Sequence, residues 1–406
     1  SLLKNVIKNN GKPMTKSEHA FLVNSSTDEI LRSMGLMKSA KEEMPKKNIK
    51  ILRKFSPDSL GNINESLREL ADKNNFYIGV AAEIDEYGLK NKDCRDLIVK
   101  EFNSFTFENS MKWNNTLNDA DSENIFDYDF AEVDKQIEYL LQHNMRIRGH
   151  ALVWGKFGGM TFPRYVQKFV DKSKDPKKAL EDIIYEHVTG TINHFKGHVK
   201  QWDVVNESMP YDGDFKLDGY FNEIMGEDYI VKSFEFAKQA DPDATLTLNE
   251  AFGKTSGEKA KQYLEWIKHL KDIGTPIDSV GIQGHVTRGS FDVEGINFFA
   301  KELAKLGVQL DITEFDMSAV PFRECDDMFM AQAQYSYDIL ESAAKSGNLG
   351  GITFWGLSDK ISWYDSIYPF SLHKPNYPNP FDDNLQRKPM YYATQALLKN
   401  IKEQKN

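Results

Sequence analysis

From about residue 66 onward, eight short apolar, β-rich runs alternate with stretches of helical periodicity, and nothing else in this 406-residue chain restricts its fold so tightly. The runs are FYIGVAAE (76–83), SFTFEN (104–109), MRIRGHALVW (145–154) and VKQWDVVNE (199–207), then ATLTLNE (244–250), SVGIQGH (279–285), VQLDITEFD (308–316) and GGITFWGLSD (350–359). Helical stretches at 127–144, 256–274 and 296–307 lie between them, and one at 390–404 closes the count. Their apolar residues recur at three- and four-residue spacing, and several end in Asn or Gly. Such alternation means parallel strands joined by crossover helices. The expected fold is therefore α/β: an eight-stranded (β/α)8 TIM barrel over residues 66–406, preceded by a helical or irregular extension over 1–65. The extension is rich in Lys, Asn and Ser, with a short helical run at 25–37 and no strand signal. It reads as a leader packed on the barrel or the remnant of a linker.

In a barrel of this kind the chemistry sits at the C-terminal ends of the strands. Those ends carry Glu83, Glu108 with Asn109, His150 with Trp154, Asn206 with Glu207, Asn249, His285, Glu314 with Asp316, and Trp355. A carboxylate that closes an apolar strand has to be solvated, paired or used. Glu207 and Glu314 end the fourth and seventh strands, which face each other across a closed ring of eight. Two carboxyl groups so placed suffice for glycoside hydrolysis, one as proton donor and the other as nucleophile or as base for water. A single Glu after a strand is usually a loop carboxylate or helix cap; the company around these two is what singles them out. Asn206 could offer its amide to a sugar hydroxyl, although its local sequence reads equally well as a turn. His285, held by Asp316, could keep Glu314 ionised. Trp154, Trp355 and Trp363 offer flat partners for the C–H faces of sugars. Trp113, Trp202 and Trp266 read as core.

The remaining features exclude more than they suggest. The formal net charge of -10 and the lack of a Lys/Arg stripe argue against a nucleic-acid partner, and the basic stretch 44–54 reads as solvated surface. No apolar run approaches membrane-spanning length. Cys94 and Cys325 match no zinc or redox spacing and neither demand nor exclude a disulfide. No metal-ligand cluster, phosphate-cradling loop or Gly-x-Ser-x-Gly elbow is visible, so neither a metal nor a cofactor is expected. The two histidines of HFKGH, His194 and His198, read as solvated. No basic-then-apolar leader opens the chain at Ser1, so any signal peptide has been removed or never existed.

Taken together, the motifs between about residues 66 and 402 resemble glycoside hydrolase family 10, the β-1,4-xylanases. WDVVNE (202–207) is similar to the family's acid/base signature, which gives that role to Glu207, and ITEFD (312–316) to its nucleophile strand, which gives the attack to Glu314. FTFENSMKW (105–113) resembles the segment whose Glu, Asn and Lys hold the sugar two places from the cut, here Glu108, Asn109 and Lys112. RGHALVW (148–154) supplies His150 and Trp154 of the adjacent subsite, GIQGH (281–285) supplies Gln283 and His285, and WGLSDKISW (355–363) supplies the two tryptophans that roof the subsites. The resemblance implies an endo-acting enzyme that retains configuration through a glycosyl-enzyme intermediate, with carboxyl groups about 5–5.5 Å apart. It implies xylan or xylo-oligosaccharides as partners, leaves room for carbohydrate-binding modules in a longer protein, and carries the expectation of a secreted or cell-surface location.

Two stretches depart from the pattern. The family follows its Leu-Val-Trp with His-Ser-Gln, where this chain reads Gly155, Lys156 and Phe157. Its strand-five motif carries an aromatic shelf on the leaving-group side, where this chain reads Asn249, Glu250, Ala251 and Phe252. Both bear on subsites rather than on the two glutamates. Two other readings stay open: the same mechanism on another β-1,4-glycan, and a barrel that binds xylan without cutting it. A pure binder would have no need of Glu207 and Glu314.

Overall fold

Parallel strands with helices on their outer face are buried on both sides, which is why these runs are nearly continuous in apolar residues. The computed structural model describes residues 64–401 apart from 212, 252–254, 288–290 and 368–369. Eight parallel strands form the barrel: β1 (Tyr77–Ala82), β2 (Ser104–Phe107), β3 (Arg146–Gly149), β4 (Val199–Asn206), β5 (Thr245–Glu250), β6 (Ser279–Ile282), β7 (Gln309–Met317) and β8 (Leu349–Phe354). Neighbours pair in sequence order, β8 returns to β1, and the β6–β7 ladder (Val280 opposite Leu310) completes the ring. The expected barrel is present. The helical run at 25–37 and the tail of the last helix beyond 401 lie outside the described residues.

Local chemistry sets the outer helices among the described residues. The first, α1 (Leu67–Lys73), opens with a capping box in which Ser66 accepts from the Glu69 amide and the Glu69 carboxylate accepts from the Ser66 amide. The longest, Pro176–Phe195, starts with Asp175 accepting from the Lys178 amide and with Pro176 in the first turn, where its missing N–H costs nothing. The last, Pro389–Asn400, packs back on α1.

Four strands stop two or more residues earlier than their apolar runs suggest. β2, β3, β6 and β8 end at Phe107, Gly149, Ile282 and Phe354, short of the expected 109, 154, 285 and 359. Beyond these ends the regular ladder gives way to single hydrogen bonds and bridges, such as Val153 opposite Val205 and Trp355 N–H to Phe315 O. The clearest case is β6, which breaks at Gly284 with φ +82, a conformation that favours glycine, before His285–Val286 pairs again with Asp316 and Met317 of β7. A Cβ on Gly284 would also sit 3.0 Å from Ile312 Cγ2.

The barrel interior carries a polar layer beneath the site. Gln201 Nε2 and Ser279 Oγ both donate to Asp311 Oδ2, at 2.8 and 2.6 Å, and Arg146 donates to Gln201 Oε1 at 2.6 Å. One layer higher, Asp203 of β4 accepts from Arg148 at 2.7 Å and from His150 Nδ1 at 2.8 Å. Buried polar groups are tolerated when paired in this way. Because a carboxylate only accepts, Asp203 fixes the His150 ring with Nδ1–H inward and Nε2 toward the mouth.

Candidate active site

Glu207 follows β4 directly, in the left-handed region at φ 55. That conformation costs a side-chain-bearing residue about 1–2 kcal/mol and turns the carboxyl group out of the strand over the barrel mouth. Its amide still donates to Asn249 O of the neighbouring strand at 2.8 Å, so the turn is anchored. Across the mouth, Glu314 of β7 donates its amide to Gln283 O at 2.7 Å. Both residues are buried, with 5% and 4% of their surfaces exposed.

Two amides tie the carboxylates into one frame. Gln283 Nε2 donates to Glu207 Oε1 at 3.0 Å. Asn249 Nδ2 donates both to Glu314 Oε1 at 2.9 Å and to Asn206 Oδ1 at 2.8 Å, while its own Oδ1 accepts from Thr313 at 2.6 Å. Asn206 thereby keeps its Nδ2 buried and without a protein partner, as does the Trp154 indole N–H. Buried donors of this kind are normally satisfied, so these two are suited to an incoming hydroxyl-rich ligand.

The two corners differ electrically. His285 lies between Glu314 Oε2 at 3.0 Å and Asp316 Oδ1 at 2.8 Å, and Asp316 also accepts from Trp363 Nε1 at 2.6 Å. Burial works against the imidazolium, but the Asp316 charge and hydrogen bond, followed by those of Glu314, hold it up to about 10. Burial likewise pushes Glu314 up. The His285 hydrogen bond, the His150 and His285 charges and the Asn249 hydrogen bond outweigh it and bring Glu314 down to about 2. Glu207 goes the other way: burial raises it, the Gln283 and Tyr211 hydrogen bonds and the Lys156 charge offset part of that, and the Glu314 charge adds to the rise. One carboxyl is thus kept ionised and the other is kept ready to carry a proton. That division of labour is what acid-assisted nucleophilic displacement needs.

The remaining expected residues gather around this pair. Glu108, just past β2, is raised to about 7, by burial first and the Glu83 charge second. Lys112 Nζ donates to Asn109 Oδ1 at 2.6 Å and lies 5.4 Å from the centroid of the Trp154 ring. His150 meets Trp355 edge-on at 5.1 Å between centroids, and His285 lies 4.5 Å from Trp363. These contacts draw Glu108, Asn109, Lys112, His150, Trp154, Asn206, Gln283, His285, Trp355, Trp363 and Asp316 into the surroundings of the two glutamates. Trp113 and Trp202 are sealed in the core, and Trp266 is buried with its indole on Glu227. His194 pairs with Asp134 at 2.9 Å. Among the described residues no group of His, Cys, Asp and Glu could hold a metal ion, and both cysteines are free.

The structure gives roles to residues that pattern reading leaves without one. Asn249 bridges the two corners, and its position at the end of LTLNE was the available signal. Tyr211 donates its hydroxyl to Glu207 Oε2, and Lys156 is buried beside it. The sequence marks Lys156 only as a departure from the family pattern, and nothing in MPYDG marks Tyr211. At Gly155 a Cβ would sit 2.8 Å from Phe221 Cβ, so the packing accommodates no side chain there.

The profile of glycosyl hydrolase family 10 matches residues 66–397. The chain belongs to that family. Endo-1,4-beta-xylanase B of Thermotoga neapolitana is 32% identical over 84% of this chain and 93% of its own length. Exoglucanase XynX of Acetivibrio thermocellus is also 32% identical, over 79% of this chain but 28% of its own length, so the chain spans little more than a quarter of that relative. Among solved structures, TsXylA of Thermoanaerobacterium saccharolyticum JW/SL-YS485, in complex with xylotriose, superposes with a TM-score of 0.69 at 30% identity, covering 82% of this chain and 99% of that one. TsXylA is described as an intracellular xylanase. That corrects the expectation of secretion, which rested on the family alone: a relative of this similarity works inside the cell, so membership does not place the protein outside it. No helix of the described residues is long and apolar enough to cross a membrane.

Proposed function

We propose that this protein is an endo-acting β-1,4-xylanase whose catalytic unit is the barrel from residue 66 onward, with Glu314 as nucleophile and Glu207 as acid/base. The observation that carries the reading is the opposed electrostatics of two carboxyl groups held in one hydrogen-bonded frame. Glu314 attacks the anomeric carbon as the bond to the leaving sugar oxygen breaks, and the Glu207 proton passes to that oxygen. Water then attacks the glycosyl-enzyme; ionised Glu207 takes its proton, and Glu314 leaves as carboxylate. The unpartnered Asn206 Nδ2 is the donor best placed beside Glu207 for a hydroxyl next to the reacting carbon. Glu108, Asn109, Lys112, His150 and Trp154 hold the sugars on the non-reducing side, Gln283 and His285 set the two glutamates, and Trp355 and Trp363 cover the sugars. Xylan and xylo-oligosaccharides are the substrates this assigns.

The test is release of reducing ends from xylan beside carboxymethylcellulose. Cleavage of xylan with internal fragmentation and retained configuration is expected. Binding of xylan without turnover would leave only the non-catalytic barrel. Preference for carboxymethylcellulose would favour the second reading, the same mechanism on another β-1,4-glycan, which the relative named as an exoglucanase keeps in view.

A further inference from the structure

Glu207 is held by more than the frame it shares with Glu314. Gln283 occupies Oε1, and Oε2 accepts the hydroxyl of Tyr211, four residues further along the loop after β4. That loop is fastened from outside by Lys156, which comes from the loop after β3. The Lys156 ammonium donates to Met209 O, lies 2.6 Å from Asp218 Oδ1, and sits 5.6 Å from the centroid of the Tyr211 ring. Asp218 in turn donates its amide to Ser208 O at 3.0 Å, which closes the loop on itself. Only 8% of Lys156 is exposed. An ammonium that deep is costly unless paired, so its place at the loop is built rather than incidental.

We propose that Tyr211, anchored by Lys156, is a positioning residue that orients the Glu207 carboxyl group and favours its ionised form. This rests on the reading of Glu207 as acid/base and adds how its protonation is set. A phenol can only donate to a carboxylate, and donation stabilises the charged state. Burial, with the Glu207 charge next, pushes Tyr211 well above the ordinary tyrosine range, so it stays a donor at every working pH. The groups that face Glu207 come from five elements. Lys112 lies past β2, Lys156 past β3, Glu250 on β5 and Glu314 on β7, while Tyr211 itself, from the β4 loop, is faced there by Asp218. Burial drives Glu207 toward its protonated form in both steps, joined by the Glu314 charge only until Glu314 is glycosylated; that form serves the first step, whereas the second needs the base. Tyr211 and Lys156 pull the other way. They sit at the stretch where this chain departs from the family pattern, Gly155-Lys156-Phe157, and in the loop opposite it.

The test reads the Glu207 carboxyl carbon directly by 13C NMR titration, assigned with Glu207→Gln, in the parent, Tyr211→Phe and Lys156→Met proteins. Both substitutions are expected to raise the Glu207 midpoint, and the basic limb of the activity profile should move up with it. On xylan, Tyr211→Phe should lower kcat roughly tenfold with little change in KM, the effect of one hydrogen bond to a charged group. An unchanged Glu207 midpoint in Tyr211→Phe overturns the proposal. So does an equal loss at every pH and on both xylan and an activated aryl xylobioside, which is the mark of a purely structural role. If Tyr211→Phe does not fold, Tyr211→Leu decides, since Lys156→Met also removes a charge that acts on Glu207 directly. An unmoved midpoint in Tyr211→Leu overturns the proposal, and a raised one supports it. The NMR titration does not depend on turnover. Failure of the chain to cleave xylan would therefore count against the proposed activity while the role of Tyr211 is judged separately.

Discussion

Glu207 and Glu314 are the same residue type, lie just past one strand and within another on opposite sides of one barrel, and are almost equally buried, yet their carboxyl groups are driven apart. Burial acts alike on both. The difference lies in what touches them: Glu314 meets the His285 imidazolium and the Asn249 amide, whereas Glu207 meets the neutral Gln283 amide and the Tyr211 phenol, with the Lys156 charge further off. The contrast teaches that depth alone assigns no role. Neighbouring charge and donors decide which carboxyl is ionised.

The contrast also fixes how stability responds to pH. Glu314 is lowered from an ordinary 4.5 to about 2, so its contribution to the fold is present above 4.5 and lost as pH falls through about 2. His285 is raised from 6.5 to about 10, so its contribution is complete below 6.5 and lost as pH rises through about 10. Thermal melts across pH should show both flanks, and a flat profile between pH 2 and 4.5 would break the assignment at Glu314.

The comparison can be broken hardest at Glu314. Glu314→Ala should lower xylan turnover by at least about ten-thousandfold with the fold intact, and azide should restore activity with inverted product. A folded variant with more than a trace of activity would end the nucleophile assignment. Glu207→Ala should cost roughly a hundred- to ten-thousandfold on xylan and remove the basic limb of the pH profile. Aryl xylobiosides, whose leaving groups need little protonation, should suffer far less, and equal losses on the two substrates would erase the difference between the corners. A smaller effect sharpens the contrast. His285→Gln removes the cation that holds Glu314 down, so the acidic limb should move up and kcat should fall about tenfold. An unmoved acidic limb would mean that His285 does not act through Glu314. Smallest of all is deletion of residues 1–63, which spares the Glu65 contacts to Lys73 and Gln395. It should leave kcat within about threefold of the parent, since every barrel strand begins later. A folded truncation without activity would show that the extension shapes the cleft.

Much of this was legible in the chain itself. Strict alternation of apolar strand runs with helical periodicity leaves few architectures open, and the polar residue closing each run then has to face the barrel mouth. Glu207, Glu314, His285 and Asp316 could be found that way, because type and position along a strand suffice to place them. Strand lengths were read too long at β2, β3, β6 and β8, because an apolar run does not say where the ladder ends and the turn into the mouth begins.

What the sequence determined by itself is the repeating pattern, and with it the barrel, the two carboxylates and the family. Only the tertiary structure shows the contacts that drive the two carboxyl groups apart, with the His285 and Asn249 donors lowering Glu314 and burial raising Glu207. It also decided that Asn249 joins the two corners and that Lys156 and Tyr211, 55 positions apart in the chain, meet beside Glu207. The physical reason is that backbone pattern is local and periodic, whereas a proton's affinity for a buried oxygen depends on charges and donors brought together from separate loops. No periodicity in the chain records those meetings.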